Sequence, residues 1–319
     1  MAAAPVAGFR RVAVLGTGLI GGSFGLAVRK YLAGARVIGW DKQAVLRQAE
    51  AAGAIHESCE DIARVLRGAD LIYMALPVGL TIELLPEIAR RAEPHALVTD
   101  TCSTKVKIGR VAAECFPGVA GEGGRPPQPE EAAAGQATPR DGSADSARFL
   151  GGHPMAGKEV AGLPGADAEL FRGAKYALIG EPDQAGSDPR VAGFVALLEA
   201  LGARPMWLDA ETHDWAVAIV SHLPQLVSVA LAGVVREETD ETGLPMTLAG
   251  PGLRELLRLC GSPYPIWRDI VLTNTDNISR ALDRVAQAIE HLRMRLASRE
   301  LEDEFAAANE LYKMLRDLQ

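Results

Sequence analysis

Cysteine is scarce in this sequence, and its spacing matches no metal site. The 319 residues include four cysteines, Cys59, Cys102, Cys115 and Cys260, with no Cys-x-x-Cys pair. A structural zinc site or a disulfide framework needs cysteines at short, repeated spacings. We therefore predict reduced thiols that mostly belong to the core, and no metal centre.

Positive charge and long apolar runs are also limited. Lysine and arginine total 33 against 41 acidic residues, a formal net charge of −8. That balance argues against a nucleic-acid partner, which requires a basic surface to displace counterions from phosphates. No apolar run reaches the roughly 18 residues that cross a bilayer, and the N-terminus lacks the features of a signal peptide. The sequence therefore predicts a cytoplasmic protein with no membrane partner.

A glycine-rich turn follows the first strand signal. The buried run Val12-Ala-Val-Leu leads into glycines with the spacing G-x-G-x-x-G, which open an apolar helical stretch. The first glycine of this pattern permits a tight turn, the second lets the backbone approach a pyrophosphate, and the third lets helix and strand pack closely. We assign five loop positions to a dinucleotide cofactor: Gly16, Gly18, Leu19, Ile20 and Gly21.

An acidic residue stands where this loop predicts a ribose contact. Asp41 ends the second strand signal, Arg36 to Trp40, and follows the last glycine of the pattern by about 20 residues. A carboxylate there accepts hydrogen bonds from ribose hydroxyls and repels a 2′-phosphate. The sequence therefore predicts NAD in preference to NADP, although a purely structural glycine turn is the alternative.

Strand and helix signals alternate as far as residue 208. Further strand signals lie at Leu71–Leu76, Ala96–Thr99, Phe149–Leu150, Lys175–Ile179 and Arg204–Leu208. This rhythm is typical of a doubly wound, mostly parallel sheet with helices on both faces. Ligands of such sheets bind at the carboxyl ends of strands, so Pro77 is a candidate cofactor contact, with Thr101 and Ser103 near the nicotinamide. The alternative for Ser103 is a cap on the helix that begins near Lys105.

Two domains are predicted. Residues 1–208 form the dinucleotide-binding domain, interrupted at about 117–148 by a flexible insertion rich in Gly, Pro, Ala and Glu. Residues 209–319 show only helical signals, at 210–236, 251–260, 266–295 and 300–318. Since the first of these helices is apolar enough to need burial against another copy, we predict a homodimer.

One histidine has a distinctive setting. His153 follows a strand signal and a Gly-Gly pair and precedes a proline, which places it at a strand end with an extended backbone. Its ordinary pKa suits it to take a proton from a substrate hydroxyl without a metal. A buried or solvated turn histidine is the alternative. In the helical domain, His222 and Arg258 have equally plain alternatives, a core histidine and a solvated arginine.

Several motifs in order along the chain resemble those of the prephenate dehydrogenase family. They run from about Arg11 to beyond Asn274 and comprise Gly16-Thr-Gly-Leu-Ile-Gly-Gly-Ser, Asp100-Thr-Cys-Ser-Thr-Lys105, Gly152-His-Pro-Met-Ala-Gly-Lys-Glu159, Leu170-Phe-Arg-Gly173, Ser221-His-Leu-Pro224 and Gly252-Leu-Arg-Glu-Leu-Leu-Arg258 through Trp267-Arg-Asp269. The resemblance implies a Rossmann-like domain, a helical dimerisation domain, and oxidative decarboxylation of prephenate or arogenate with NAD or NADP on the way to tyrosine.

The resemblance also implies roles for individual residues. His153 is similar to the catalytic hydrogen-bond acceptor, Ser103 to its partner at the ring hydroxyl, and Arg258 to the residue that binds a substrate carboxylate. His222 is similar to a neighbouring active-site residue. Family members that use prephenate often have a second histidine where this chain has Gln225, so the choice between a pyruvyl and an alanyl side chain stays open.

Other classes of protein fit part of the pattern. A β-hydroxyacid dehydrogenase or an imine reductase shares the two-domain plan, but it would place a lysine or aspartate of the helical domain at the chemistry. A dinucleotide-sensing protein without turnover is a third alternative. Reduction of NAD with prephenate, arogenate or 3-hydroxy acids distinguishes them.

Overall fold

The computed structural model describes residues 8–116, 146–158, 160, 162–239, 243–297 and 301–317. The insertion predicted at 117–148 lies outside these residues except for its last three positions. By its internal contacts the chain divides into two compact units, Met1–Val217 with Cys260–Asn274, and Ala218–Leu259 with Thr275–Gln319. The predicted domain division at residues 208 and 209 stays a prediction.

The first unit is built on an eight-stranded sheet. The strands are β1 Arg11–Leu15, β2 Arg36–Trp40, β3 Glu57–Ser58, β4 Leu71–Met74, β5 Leu97–Asp100, β6 Arg148–Pro154, β7 Lys175–Ile179 and β8 Arg204–Leu208. Their spatial order is β3-β2-β1-β4-β5-β6-β7-β8. All neighbours pair in parallel except β6 with β7, which is antiparallel. The predicted mostly parallel, doubly wound sheet is confirmed.

Helices cover both faces of this sheet. Those of the first unit are α1 Leu19–Tyr31, α2 Gln43–Ala51, α3 Ile62–Leu66, α4 Val78–Arg91, α5 Val106–Cys115, α6 Asp183–Ser187, α7 Pro189–Ala200, α8 Ala210–Val217 and, later in the chain, α12 Tyr264–Thr273. Successive residues of β1 alternate between two cores: Val12 and Val14 pack on one face, and Ala13 and Leu15 on the other. The site is therefore held by a sheet that is buried on both sides.

The described residues of the second unit form helices joined by short turns. It contains the π-helical turn Ala218–His222, α9 Leu223–Glu237, α10 Leu244–Thr247, α11 Pro251–Leu257, α13 Thr275–Met294 and α14 Leu301–Asp317. A short 3₁₀ turn, Arg258–Gly261, begins directly after α11.

Two helices that the sequence predicts as continuous are interrupted. The stretch predicted at 210–236 contains the π-helical turn, because Pro224 in the next turn has no N–H to donate to the α-helical ladder. The helix predicted at 266–295 breaks at Asn274, which leaves helical backbone angles while its side-chain amide donates to the carbonyl of Asp214 at 2.7 Å.

The expectation that no apolar stretch could cross a bilayer was wrong. The 28-residue stretch Ala210–Glu237 has the length and composition of a membrane-crossing helix. In its most apolar 18-residue segment, 28% is buried. A helix that packs against another subunit can have the same length and composition, because such a surface is also apolar.

Candidate active site

The glycine loop between β1 and α1 is shaped by close backbone contacts. Gly16 has φ of 87°, and a Cβ on it would lie 2.3 Å from the carbonyl oxygen of Ala75, at the end of the neighbouring strand β4. A Cβ on Gly21 would lie 1.8 Å from the carbonyl oxygen of Gly16. These two glycines are therefore required by the protein's own packing.

Gly18 differs from the other two glycines. A Cβ built on it meets no atom of the described residues within 4 Å. Gly18 immediately precedes α1, and no side chain in the described part of the chain caps that helix N-terminus. Open space beside free helical N–H groups is what a pyrophosphate needs, so the loop fits a dinucleotide. Leu19 and Ile20, the first residues of α1, are half-buried beside it.

Asp41 stands directly after β2 and faces this loop. Its Oδ2 accepts the backbone N–H of Thr17 at 2.8 Å and the Thr17 hydroxyl at 3.2 Å, and its Oδ1 accepts the N–H of Lys42 at 2.7 Å. A carboxylate has about four lone-pair positions, so capacity remains for a ribose hydroxyl. The same negative charge opposes a 2′-phosphate.

The carboxyl ends of β1, β4, β5 and β6 lie at the same edge of the sheet. Pro77 immediately precedes α4, three residues after β4, and is exposed. Thr101 follows β5, and its hydroxyl donates to the carbonyl of Met74 at 3.3 Å. Ser103 lies two residues further along and is half-buried. The capping alternative for Ser103 was wrong, because the side chain of Asp214 accepts the first N–H groups of α5.

A buried ion pair joins the ends of β5 and β6. The Asp100 carboxylate contacts the Lys105 ammonium, and both side chains are almost fully buried. Lys105 Nζ also donates to the carbonyl of Gly152 at 2.6 Å, and the Gly152 N–H donates to Asp100 at 3.2 Å. Both backbone polar groups of Gly152, the residue before His153, are therefore fixed by hydrogen bonds.

His153 occupies the penultimate position of β6, as its proline neighbour predicted. Its Nδ1 lies 2.9 Å from Nε2 of His213 in α8, and His213 Nδ1 lies 2.8 Å from Oδ1 of Asp214. His153 is half-buried, whereas His213 and Asp214 are 1% exposed. The sequence analysis missed His213 and Asp214. The signal for them was an adjacent His-Asp pair in the first turns of the helical stretch predicted at 210–236.

The remaining three predicted residues belong to the second unit. His222 closes the π-helical turn and is 1% exposed, and Gln225 one turn later is 4% exposed. The Gln225 amide donates to the carbonyl of Leu259 at 2.9 Å, and the Ser228 hydroxyl donates to the carbonyl of Leu256 at 2.6 Å. Helix α9 therefore holds the turn that carries Arg258, which is itself exposed.

The fold and the glycine loop together define a class of protein. A mostly parallel sheet with a glycine loop of dinucleotide type, a carboxylate after the second strand and a histidine at the carboxyl ends of the strands is the framework of a nicotinamide-dependent oxidoreductase.

Comparison with known families gives the particular group. The family model described as "Prephenate dehydrogenase, nucleotide-binding domain" matches residues 24–126 and 138–206, and the model described as "Prephenate dehydrogenase, dimerization domain" matches residues 209–315. The chain belongs to the prephenate dehydrogenase family. It is an NAD-dependent oxidoreductase, and the predictions of family, fold and cofactor are confirmed.

Individual relatives agree with this assignment. The chain is 29% identical over 298 residues to the prephenate dehydrogenase of Lactococcus lactis, covering 88% of this chain and 74% of the relative. The crystal structure of prephenate dehydrogenase from A. aeolicus with hydroxyphenyl propionate and NAD+ superposes with a TM-score of 0.77 at 24% identity, covering 97% and 98% of the two chains. The structure of Synechocystis arogenate dehydrogenase gives a TM-score of 0.69 at 26% identity, covering 96% and 99%.

Proposed function

We propose that this protein catalyses the NAD-dependent oxidative decarboxylation of prephenate to 4-hydroxyphenylpyruvate, a step towards tyrosine in the cytoplasm. The observation that carries the proposal is the position of His153. Its imidazole stands at the carboxyl end of β6, at the sheet edge that carries the glycine loop, and is held there through Gly152 and His213. A positioned imidazole is the group that takes a proton from a hydroxyl.

The chain's residues supply the following roles. His153 accepts the proton of the ring hydroxyl, with Ser103 as the second hydrogen-bonding group at that oxygen. NAD, when bound at the glycine loop, would supply the hydride acceptor for the hydroxyl-bearing carbon. The resulting ring carbonyl is conjugated to the carbon that bears the carboxylate, so carbon dioxide leaves and the ring becomes aromatic. Arg258 binds a substrate carboxylate through charge-assisted hydrogen bonds, with His222 and Gln225 as further substrate contacts.

Arogenate is the second candidate substrate, and Gln225 favours it. The amide of this residue is engaged with the carbonyl of Leu259, where family members that use prephenate often have an imidazole. The Synechocystis relative is named an arogenate dehydrogenase. Arogenate differs from prephenate in carrying an alanyl side chain in place of a pyruvyl one, and oxidation of arogenate would yield tyrosine directly.

We also propose that the protein is a homodimer assembled through its second unit. Large apolar side chains of this unit are exposed in the single chain, including Val229, Val234, Leu256, Phe305 and Leu311. A second copy packed on this unit would remove such apolar side chains from water.

The first experiment compares prephenate and arogenate, each with NAD and with NADP, by following reduced nicotinamide. We expect turnover with prephenate and NAD, and weaker use of NADP because Asp41 repels the 2′-phosphate. A Gln225→His variant should shift the preference towards prephenate if this position selects the side chain. No reduction with either substrate would refute the proposed function.

His153→Asn tests the base directly. Because Asn cannot take up a proton, kcat should fall by roughly 10²–10⁴-fold while NAD affinity, measured by calorimetry, stays the same. The matched control is His95→Asn, since His95 is an exposed histidine near the amino end of β5. Retained activity in His153→Asn would show that another group is the base.

A further inference from the structure

The imidazole of His153 contacts a buried histidine-aspartate pair to which the proposed reaction assigns no chemical role. His213 and Asp214 are adjacent in α8, and both are 1% exposed. They form a hydrogen-bonded chain with His153: Asp214 Oδ1 to His213 Nδ1 at 2.8 Å, then His213 Nε2 to His153 Nδ1 at 2.9 Å. His153 and His213 are 60 residues apart in sequence, so only the fold brings them together.

The positions of the hydrogen atoms in this row of hydrogen bonds can be assigned by starting from Asp214. Asp214 Oδ1 accepts the N–H of Lys105 at 2.7 Å, and Oδ2 accepts the N–H of Val106 at 3.0 Å. Both N–H groups belong to the start of α5, so the carboxylate is held as an acceptor on both oxygens. The ring nitrogen that meets Oδ1 must therefore carry the hydrogen, which leaves Nε2 of His213 with a lone pair.

The surroundings keep His213 neutral. Burial lowers the pKa of His213 below its ordinary value, the hydrogen bond to Asp214 raises it, and Lys105 lowers it further, with smaller opposing effects from the charges of Asp214 and Asp100. The charged side chains that act on His213 are Asp214, Lys105 and Asp100, and its hydrogen-bonded neighbour is His153. A neutral His213 that donates from Nδ1 can only accept at Nε2.

We propose that His213 is a positioning residue that holds His153 in the tautomer with hydrogen on Nδ1 and the lone pair on Nε2. The inference rests on the proposed role of His153 as the base. Which ring nitrogen of a histidine carries the hydrogen is set by the hydrogen bond made by the other one. Here His153 Nδ1 must donate to His213, so Nε2 is the nitrogen that takes the substrate's proton.

The hydrogen bonds from His153 through His213 to Asp214 also stabilise the positive charge that forms on His153. When Nε2 takes up a proton, the ring becomes cationic and its Nδ1–H bond to His213 becomes charge-assisted. The Asp214 carboxylate lies one imidazole further away and is fixed by α5. An aspartate that orients a histidine without being protonated itself plays the same part in serine hydrolases.

Nitrogen NMR of the unmodified protein tests the tautomers without any assay of activity. In protein carrying ¹⁵N-histidine near neutral pH, His213 should show a protonated Nδ1 and an unprotonated Nε2, and His153 should show the same pattern. Assignments come from His213→Gln and His153→Asn samples. A spectrum with hydrogen on Nε2 of either residue, or with His213 doubly protonated, overturns the proposal.

Two substitutions at position 213 separate positioning from packing. His213→Leu fills space but removes both hydrogen bonds, so kcat should fall by roughly 10²–10⁴-fold, as when an orienting partner is lost. In His213→Gln the amide N–H₂ can face Asp214 and the amide oxygen can face His153, so activity should return to within about 10-fold of the unmodified enzyme. KM for prephenate and Kd for NAD should change by less than about 3-fold in both, since neither contact is lost.

The matched control is His95→Leu, which also removes a histidine beside an aspartate, Asp70, but at an exposed position. It should leave kcat unchanged. Equal loss of kcat in His213→Leu and His213→Gln overturns the positioning role. If the unmodified protein turns over neither prephenate nor arogenate, the proposed function fails, whereas the tautomer pattern is read from the spectrum and stands or falls separately.

Discussion

At the scale of single residues, the three glycines of the nucleotide loop meet different constraints. Gly16 and Gly21 have no room for a side chain because carbonyl oxygens of the protein lie within 2.3 Å and 1.8 Å of the Cβ position. Gly18 has a negative φ of −73°, and a Cβ built on it meets no atom of the described residues within 4 Å. A bound pyrophosphate would occupy that space. A substitution of Gly18 should therefore affect cofactor affinity more than the stability of the fold.

Gly18→Ala should therefore leave thermal unfolding unchanged and weaken NAD binding by at least about 10-fold, because the methyl group occupies the approach to the phosphates. Calorimetric titration with NAD and a thermal melt give the two numbers. Gly109→Ala is the control, since a Cβ at this α5 position also meets no atom of the described residues within 4 Å. Unchanged NAD affinity in Gly18→Ala would argue against the assigned cofactor position.

The buried His213 should also make the free energy of unfolding depend on pH. Burial lowers its pKa in the folded protein below the ordinary value of 6.5, so the unfolded chain takes up the proton first as the pH falls. The unfolded state is then favoured, and the contribution of this group to stability is present above pH 6.5 and lost as the pH falls towards the lowered value. In urea titrations at a series of pH values, His213→Gln should flatten the acid-side decline. An identical decline in both proteins would contradict the assigned neutral state.

At the scale of elements, one buried ion pair holds together the ends of β5 and β6 and the start of α5. Lys105 neutralises Asp100 and also donates to the Gly152 carbonyl. Both charges are removed from water, so the pair is stable only while complete.

Lys105→Met should lower the free energy of unfolding by about 3–5 kcal/mol, because it leaves the Asp100 carboxylate buried and unneutralised. Adding Asp100→Asn to that variant removes the charge but keeps an amide oxygen that can accept from Gly152. The double variant should therefore be more stable than Lys105→Met alone in chemical denaturation. If the second substitution lowers stability further by its full single-variant cost, the two side chains do not act as a pair.

At the scale of the whole molecule, the match to a dimerisation domain explains why the stretch Ala210–Glu237 is so apolar. This stretch is long and apolar enough to cross a membrane, and the family model of the dimerisation domain matches residues 209–315. A subunit interface buries such a helix against a second copy, where apolar contacts replace contacts with water.

We expect the protein to have the mass of two chains in light scattering after size exclusion. Val229→Arg combined with Val234→Arg should give single chains, because two charges would be buried in the interface. Glu237→Arg places the same charge at an exposed polar position of the same helix and should remain dimeric. A dimer that persists with both valines replaced would place the interface elsewhere.

Much of this protein is determined by local sequence. Three predicted strands, Arg36–Trp40, Lys175–Ile179 and Arg204–Leu208, have the same bounds in the structure. The glycine loop and the strand-end position of His153 were also predicted, because both depend on neighbouring residues whose backbone preferences are strong.

Other features depend on the tertiary structure, because they join residues that are far apart in sequence. The chain from His153 through His213 to Asp214, the break at Asn274 and the return of Cys260–Asn274 to the sheet unit depend on side chains that meet from far apart in sequence. Helical periodicity records which face of a segment is apolar, but it contains no information on which polar partner that face will meet. For that reason His153 could be singled out from the sequence, whereas only the fold shows that His213 and Asp214 form a hydrogen-bonded row behind it.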